Sequence, residues 1–128
     1  MIKANELRVG NILNYWIEEE NSFSPTVIDW QDIKWISENE EDFNMDHKPI
    51  PLTKEILLGA GFSKIKEYED SVLVTFKLDC IHFEVFKNKI IWAGLDYNEQ
   101  DRKVGLKHLH QLQNLYFALT GQELEVSL

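Results

Sequence analysis

The strongest constraint on the fold is an alternation that runs through residues 72–93. Val72, Val74, Phe76 and Leu78 recur at every second position, and Ile81, Phe83 and Val85 repeat the pattern after a short break. A period of two places such side chains on one face of a pleated strand, so the segment is expected to form an antiparallel meander with one buried face. Asp79-Cys80 and Asn88-Lys89 stand where two-residue hairpin turns would join the strands, and residues 89–93 supply the third strand. Residues 94–103 are polar, holding Asp96, Glu99, Gln100 and Asp101, and read as a loop.

The period then changes. Leu106, Leu109, Leu112, Leu115, Tyr116 and Leu119 recur three and four apart, which predicts a long helix over 104–119 that Gly121 stops. A shorter helix is expected over 54–60, capped by Thr53, with Leu52 and Leu57 in the staple positions and Gly61 free to take the left-handed conformation that ends it. Pro49-Ile50-Pro51-Leu52 must be extended, because each proline fixes its own φ and restricts its predecessor. At the front, Gly10-Asn11 offers a turn before a strand over Ile12–Ile17, and residues 18–25 break the pattern. Residues 26–30 are a second strand, 33–37 a third strand or its continuation, and the acidic run 38–46 a loop. The alternating tail 124–128 reads as an edge strand. The expectation is a single α+β domain over residues 1–128. It has small antiparallel sheets, an N-terminal hairpin or barrel-like sheet plus a C-terminal meander, with one short and one long helix, the long one covering the meander.

Composition narrows the function classes. The chain of 128 residues is 44% hydrophobic, enough for a core without staples or metals. No run approaches the roughly 18 apolar residues of a membrane span, and Met1-Ile2-Lys3-Ala4-Asn5-Glu6 lacks the apolar run of a secretion signal, so the cytoplasm is expected. A single cysteine, Cys80, offers no internal disulfide. The net charge of −9 is concentrated in residues 1–50, with 11 acidic against 4 basic side chains, whereas residues 51–128 hold 11 against 9. Without a Lys/Arg cluster, direct binding to nucleic acid or an anionic membrane is not expected.

Three stretches carry a family resemblance: Lys3-Ala4-Asn5-Glu6-Leu7-Arg8-Val9-Gly10-Asn11, Lys48-Pro49-Ile50-Pro51-Leu52-Thr53-Lys54-Glu55-Ile56-Leu57-Leu58, and the segment from His110 to Leu124 that contains H-Q-L-Q-N-L-Y-F-A-L-T-G. Together they resemble a family of short uncharacterised proteins found in Bacteroidetes genomes and in phages and prophages of those bacteria. The resemblance implies a phage or mobile-element context and carries no catalytic residue with it.

No motif identifies chemistry. His108 and His110 are two apart, on nearly opposite sides of a helix, and cannot share a metal ion as an i, i+4 pair does. Cys80 and His82 would share one side of a strand, and a thiolate beside an imidazole is the alternative, enzymatic reading of a small Cys/His or metal-dependent hydrolase. A third, orienting group is not visible in the sequence. Gly59-Ala60-Gly61 ends a helix, whereas a phosphate cradle opens one. The carboxylate pairs Asp29 with Asp32, and Glu67 with Glu69 and Asp70, have no spacing that assigns an acid and a base. Two candidate partner-binding sets remain. His110, Gln111 and Asn114 lie three and four apart and can meet on a helix, to bond loop backbone or a partner. Trp16, Trp30 and Trp35 fall in the acidic half, where an aromatic patch ringed by carboxylates suits a basic partner or self-association. No catalytic residue, cofactor or metal is expected. The leading expectation is a non-enzymatic accessory or protein-interaction protein of phage or mobile-element origin; an acidic inhibitor mimicking nucleic acid is the other alternative.

Overall fold

The computed structural model describes residues 1–67, 73–97 and 100–128. Val72, Glu69, Asp70 and Glu99 of the sequence reading lie outside these residues. The fold is α+β, with a three-stranded sheet at the N-terminus, a five-stranded antiparallel meander and four α-helices. Two compact units divide the chain, one comprising residues 1–51 and 108–123, the other 52–107 and 124–128.

The first unit begins with a 3-10 turn at Ala4–Glu6, followed by β1 (Ile12–Ile17), the strand its β-branched and aromatic residues predict. β2 (Ser22–Val27) pairs with it antiparallel, from Ile12 opposite Val27 to Ile17 opposite Ser22. The polar break is only the turn 18–21, closed by Asn21 at φ 50°, a conformation asparagine tolerates well. β2 starts earlier than the sequence reading has it and runs through Pro25. The sheet order β2-β1-β3 explains why: β2 is an edge, where a proline without an N–H breaks no ladder bond.

The segment after β2 corrects the expectation most. Residues 33–37 are not a strand but part of helix α1 (Trp30–Glu38). Asp29 Oδ1 accepts from the backbone N–H of Gln31 and Asp32 at 2.9 and 3.0 Å, and Asp32 Oδ2 accepts from Asp29 N–H at 3.0 Å. That reciprocal cap satisfies the amides a helix start leaves open, and Ile33 and Ile36 then meet the core three residues apart. The acidic run expected as a loop forms α2 (Glu40–Asp46), capped by Asn39. Glu40, Glu41 and Asp42 occupy its first turn, where negative charge is favourable. Buried Phe43 joins Ile2, Leu13, Ile28 and Ile36 in one core, with Ala4, Leu7, Ile33 and Trp35 packed against it. β3 (His47–Lys48) follows directly and pairs with β1, Tyr15 opposite His47. Helix α4 (Leu109–Thr120) completes this unit and lies against β1; the sequence reading assigns it to the meander, which belongs to the other unit. The helix starts five residues later than predicted, because the backbone of residues 104–107 is bonded otherwise: Val104 N–H to Ala93 O and Leu106 N–H to Val104 O. Gly121 ends it at φ 72°.

In the second unit α3 (Lys54–Gly59) has the predicted cap, Thr53 Oγ1 accepting from Ile56 N–H, and a Schellman ending in which Phe62 N–H reaches Leu57 O and Gly61 N–H reaches Leu58 O. The strands β4 (Ser63–Glu67), β5 (Leu73–Leu78), β6 (Ile81–Phe86), β7 (Lys89–Tyr97) and β8 (Gln100–Lys103) pair in chain order. Ile81, Phe83 and Val85 are buried as predicted, beside Phe76. The second turn is Lys87-Asn88, one residue earlier than expected, with both residues at positive φ as a primed hairpin turn requires. Residues 94–97 and 100–103 are strand rather than loop: β7 continues through Gly94, where a Cβ would come within 2.1 Å of the Trp92 indole. Glycine is there because the ring crosses the strand at that point. The tail 124–128 forms no strand; Ser127 N–H bonds to Gly59 O.

Asp29→Ala removes the cap that decides helix over strand in residues 30–38. It should lower stability by about 1 kcal/mol in urea unfolding, with a matching loss of helical ellipticity.

Candidate functional site

The polar signature on α4 faces the protein's own N-terminal segment. Gln113, one buried turn after His110, accepts from Ile12 N–H through Oε1 at 2.8 Å and donates from Nε2 to Gly10 O at 3.1 Å. Asn114 donates to Glu6 O at 2.7 Å and accepts from the Asn11 side chain at 2.8 Å. His110 is 1% exposed, with Nε2 3.2 Å from Glu6 Oε2. Gln111 turns elsewhere and accepts from His108 N–H at the start of its own helix. The residues brought together are therefore His110, Gln113 and Asn114, whose ring Nε2 and side-chain amides are engaged by residues 6–12.

Ion pairs reinforce this clamp. Arg8 holds Glu123 through Nη1 and Nη2 of its guanidinium, which stacks 4.2 Å above the Phe117 ring. Lys3 pairs with Glu40, whose carboxylate also accepts from Ala4 N–H. Burial pushes the Glu6 carboxyl up, but the Lys3 N–H and the His110 ring outweigh it and hold the group below its ordinary value of 4.5. Glu40 is lowered by the Ala4 N–H and then Lys3, and Glu123 by the Arg8 guanidinium.

The three candidate tryptophans do not form one patch. Trp35 is partly buried, its Nε1 donating to Asp42 at 2.9 Å and its ring edge-on to Phe43 and His47. His47 itself stacks flat on Phe43, with centroids 3.8 Å apart, and is a buried core group. Trp30 is 65% exposed at the first turn of α1. Trp16 is half-buried at the far end of the hairpin, with its ring edge against Phe23. The register sets Trp16 and Phe23 opposite each other at one end of the pair, and Ile12 and Val27 opposite at the end nearer Trp30.

At the Trp16 end lies an open pocket of about 320 Å³ lined by Tyr15, Trp16, Ile17, Glu18, Glu19 and Asp46. β1 supplies the aromatic and apolar wall, and the turn after it brings Glu18 and Glu19. Asp46 arrives from α2, because His47 pairs opposite Tyr15 and the antiparallel register then sets the preceding residue beside Trp16. Among the described residues, none of these three carboxylates is engaged by an ion pair or side-chain hydrogen bond. Aromatic faces and uncompensated carboxylates in one concavity attract a cation. The sequence showed Trp16 and the Glu18-Glu19-Glu20 run, but not Asp46, which comes from 30 residues away and carries no local signal.

The Cys80 and His82 reading has a different outcome. His82 is buried in β6 against the Trp92 ring, with Nδ1 3.2 Å from Asp96 Oδ1, an ion-pair distance without hydrogen-bond alignment. Asp96, which also pairs with Lys77 at 2.8 Å, is a carboxylate beside the ring that the sequence did not reveal. No hydrogen bond joins the Cys80 thiol to the His82 ring, so the nucleophile and base are not coupled. Among the described residues no group of three His, Cys, Asp or Glu side chains is placed to hold a metal. None of their helices is long and apolar enough to cross a membrane. Comparison with known protein families, curated proteins and solved structures finds no match.

Gln113→Ala leaves Ile12 N–H and Gly10 O without their side-chain partner and should cost about 1–3 kcal/mol in chemical denaturation, well beyond Gln111→Ala. Acid should loosen the same clamp. Glu6, Glu40 and Glu123 titrate lower folded than unfolded, so their stabilisation is complete above 4.5 and is lost as pH falls through their folded values. Amide exchange at residues 3–12 should rise as pH falls below about 4.5, after correction for intrinsic exchange, before the core residues of the same unit respond.

Proposed function

We propose that this chain is a non-enzymatic interaction protein that engages a basic protein partner through its first unit. The observation that carries the reading is the pocket in which Tyr15 and Trp16 lie with the unengaged carboxylates of Glu18, Glu19 and Asp46. Charge distribution supports it. The first unit contains 12 acidic against 4 basic side chains, a net −8, whereas the second contains 10 against 9, a net −1. A field concentrated on one unit steers a cationic partner to that unit. Exposed Trp30 adds an aromatic contact of the kind interfaces use. The resemblance of the N-terminal, central and C-terminal sequence stretches to Bacteroidetes and phage proteins favours an accessory role in a phage or integrated element.

Affinity capture with the intact tagged chain from its native host tests the reading. A basic protein should be retained by the wild type, be released by about 0.5 M salt, and be depleted severalfold by a folded Glu18→Gln, Glu19→Gln variant. Absence of any enriched basic partner, or retention that ignores both salt and the substitutions, overturns it. Competition by DNA for the captured partner would locate the contact on that partner's nucleic-acid-binding surface, as an acidic inhibitor requires.

A further inference from the structure

The pocket beside Trp16 has an internal counterpart that identifies its occupant. Arg8 is held in this protein by an aromatic face and a carboxylate together: its guanidinium stacks 4.2 Å from the Phe117 centroid while Nη1 and Nη2 grip Glu123. Lys48, which pairs opposite Asn14 of β1, is used differently. Its Nζ sits over the Phe23 ring at 4.7 Å, on the residue whose edge meets Trp16. Phe23 thus carries a cation of the chain, whereas Trp16 carries none among the described residues. The pocket repeats the Arg8 set of aromatic residue and carboxylate, with Trp16 and three carboxylates among its lining residues and no cation there.

We propose that this pocket binds the guanidinium of an arginine side chain on a partner protein. The proposal rests on the interaction reading above and names the group recognised. A guanidinium is planar, stacks on an aromatic ring and offers five N–H donors in a fixed fork, so it can meet an indole and more than one carboxylate at once. An ammonium is a compact, strongly hydrated point charge that stacks less well. About 320 Å³ is at the lower end of the roughly 300–1,000 Å³ typical of ligand pockets, a size for one side chain and its water rather than a secondary-structure element. The site is also pre-formed. The β1–β3 pairing fixes Asp46 beside the aromatic wall, and Phe23 props the indole from its edge.

The test uses the full chain labelled with ¹⁵N, titrated with acetyl-Gly-Arg-Gly-amide and with the lysine and citrulline counterparts. The arginine peptide should shift the Trp16 indole and the amides of residues 15–19 and 46 saturably, leaving the Trp30 indole in place. Citrulline, which keeps the shape without the charge, should bind at least about fivefold more weakly, and lysine about threefold more weakly. Trp16→Leu should weaken binding about fivefold and Glu18→Gln with Glu19→Gln about threefold. Because Trp16 is half-buried, the surface variants and Asp46→Asn keep the test valid if Trp16→Leu does not fold. Equal binding of citrulline, equal binding of lysine, or no shift at residues 15–19 in the folded protein each overturns the assignment. A basic partner captured with no arginine response at the pocket leaves the interaction reading standing and removes this one. An arginine response without any cellular partner does the reverse.

Discussion

The first unit is closed by side-chain to backbone hydrogen bonds between segments a hundred residues apart. Gln113 pairs with the Ile12 N–H and the Gly10 carbonyl, so a single amide satisfies a donor and an acceptor at the point where the N-terminal segment enters β1. An unsatisfied buried amide costs the full desolvation of that group, and these bonds therefore define which segment α4 accepts rather than adding general cohesion. The three-stranded sheet, the core around Leu13 and Phe43 and the pocket at the end of β1 all belong to the unit that this clamp closes.

Net negative charge serves three separate purposes in that unit. Asp29 and Asp32 cap a helix, and the acids that open α2 lie at its favourable end. Glu6, Glu40 and Glu123 tie down the first eight residues through His110, Lys3 and Arg8. Among the described residues Glu18, Glu19 and Asp46 have no such partner, and they line a pocket with Tyr15 and Trp16. Composition counts these groups alike. Only the third set presents uncompensated charge in a concavity, where it is available to a partner, and this separates a binding surface from charge consumed by the fold.

Elements defined by neighbouring residues were legible in the sequence. β1, the β5–β6 hairpin and α3 with both its ends depend on alternation, a threonine cap and a glycine stop, all within a few positions. The misread elements had competing local signals. Ile33, Trp35 and Ser37 look like strand residues, but the Asp29–Asp32 cap and the core contacts of Ile33 and Ile36 favour a helix. β4 went unseen because its apolar Ile65 is exposed and its strand state comes from pairing with β5. Leu106 fits the helical stripe of α4 by spacing, yet it lies before the helix, its N–H bonded to Val104 O.

The candidate site divides along the same line. Tyr15, Trp16 and the Glu18-Glu19-Glu20 run are adjacent in the chain, and the sequence alone announces an acidic, aromatic strand end. That these residues share a pocket with Asp46, that Trp35 packs against the core while Trp30 is exposed, and that the H-Q-L-Q-N signature holds the chain's own N-terminus are tertiary facts. Residue type and local period determine the α+β class, the meander and the charge imbalance, because propensity and patterning act over a few residues. Which polar groups are used up internally and which remain for a partner depends on contacts between segments 30 to 100 residues apart, and only the folded chain decides that.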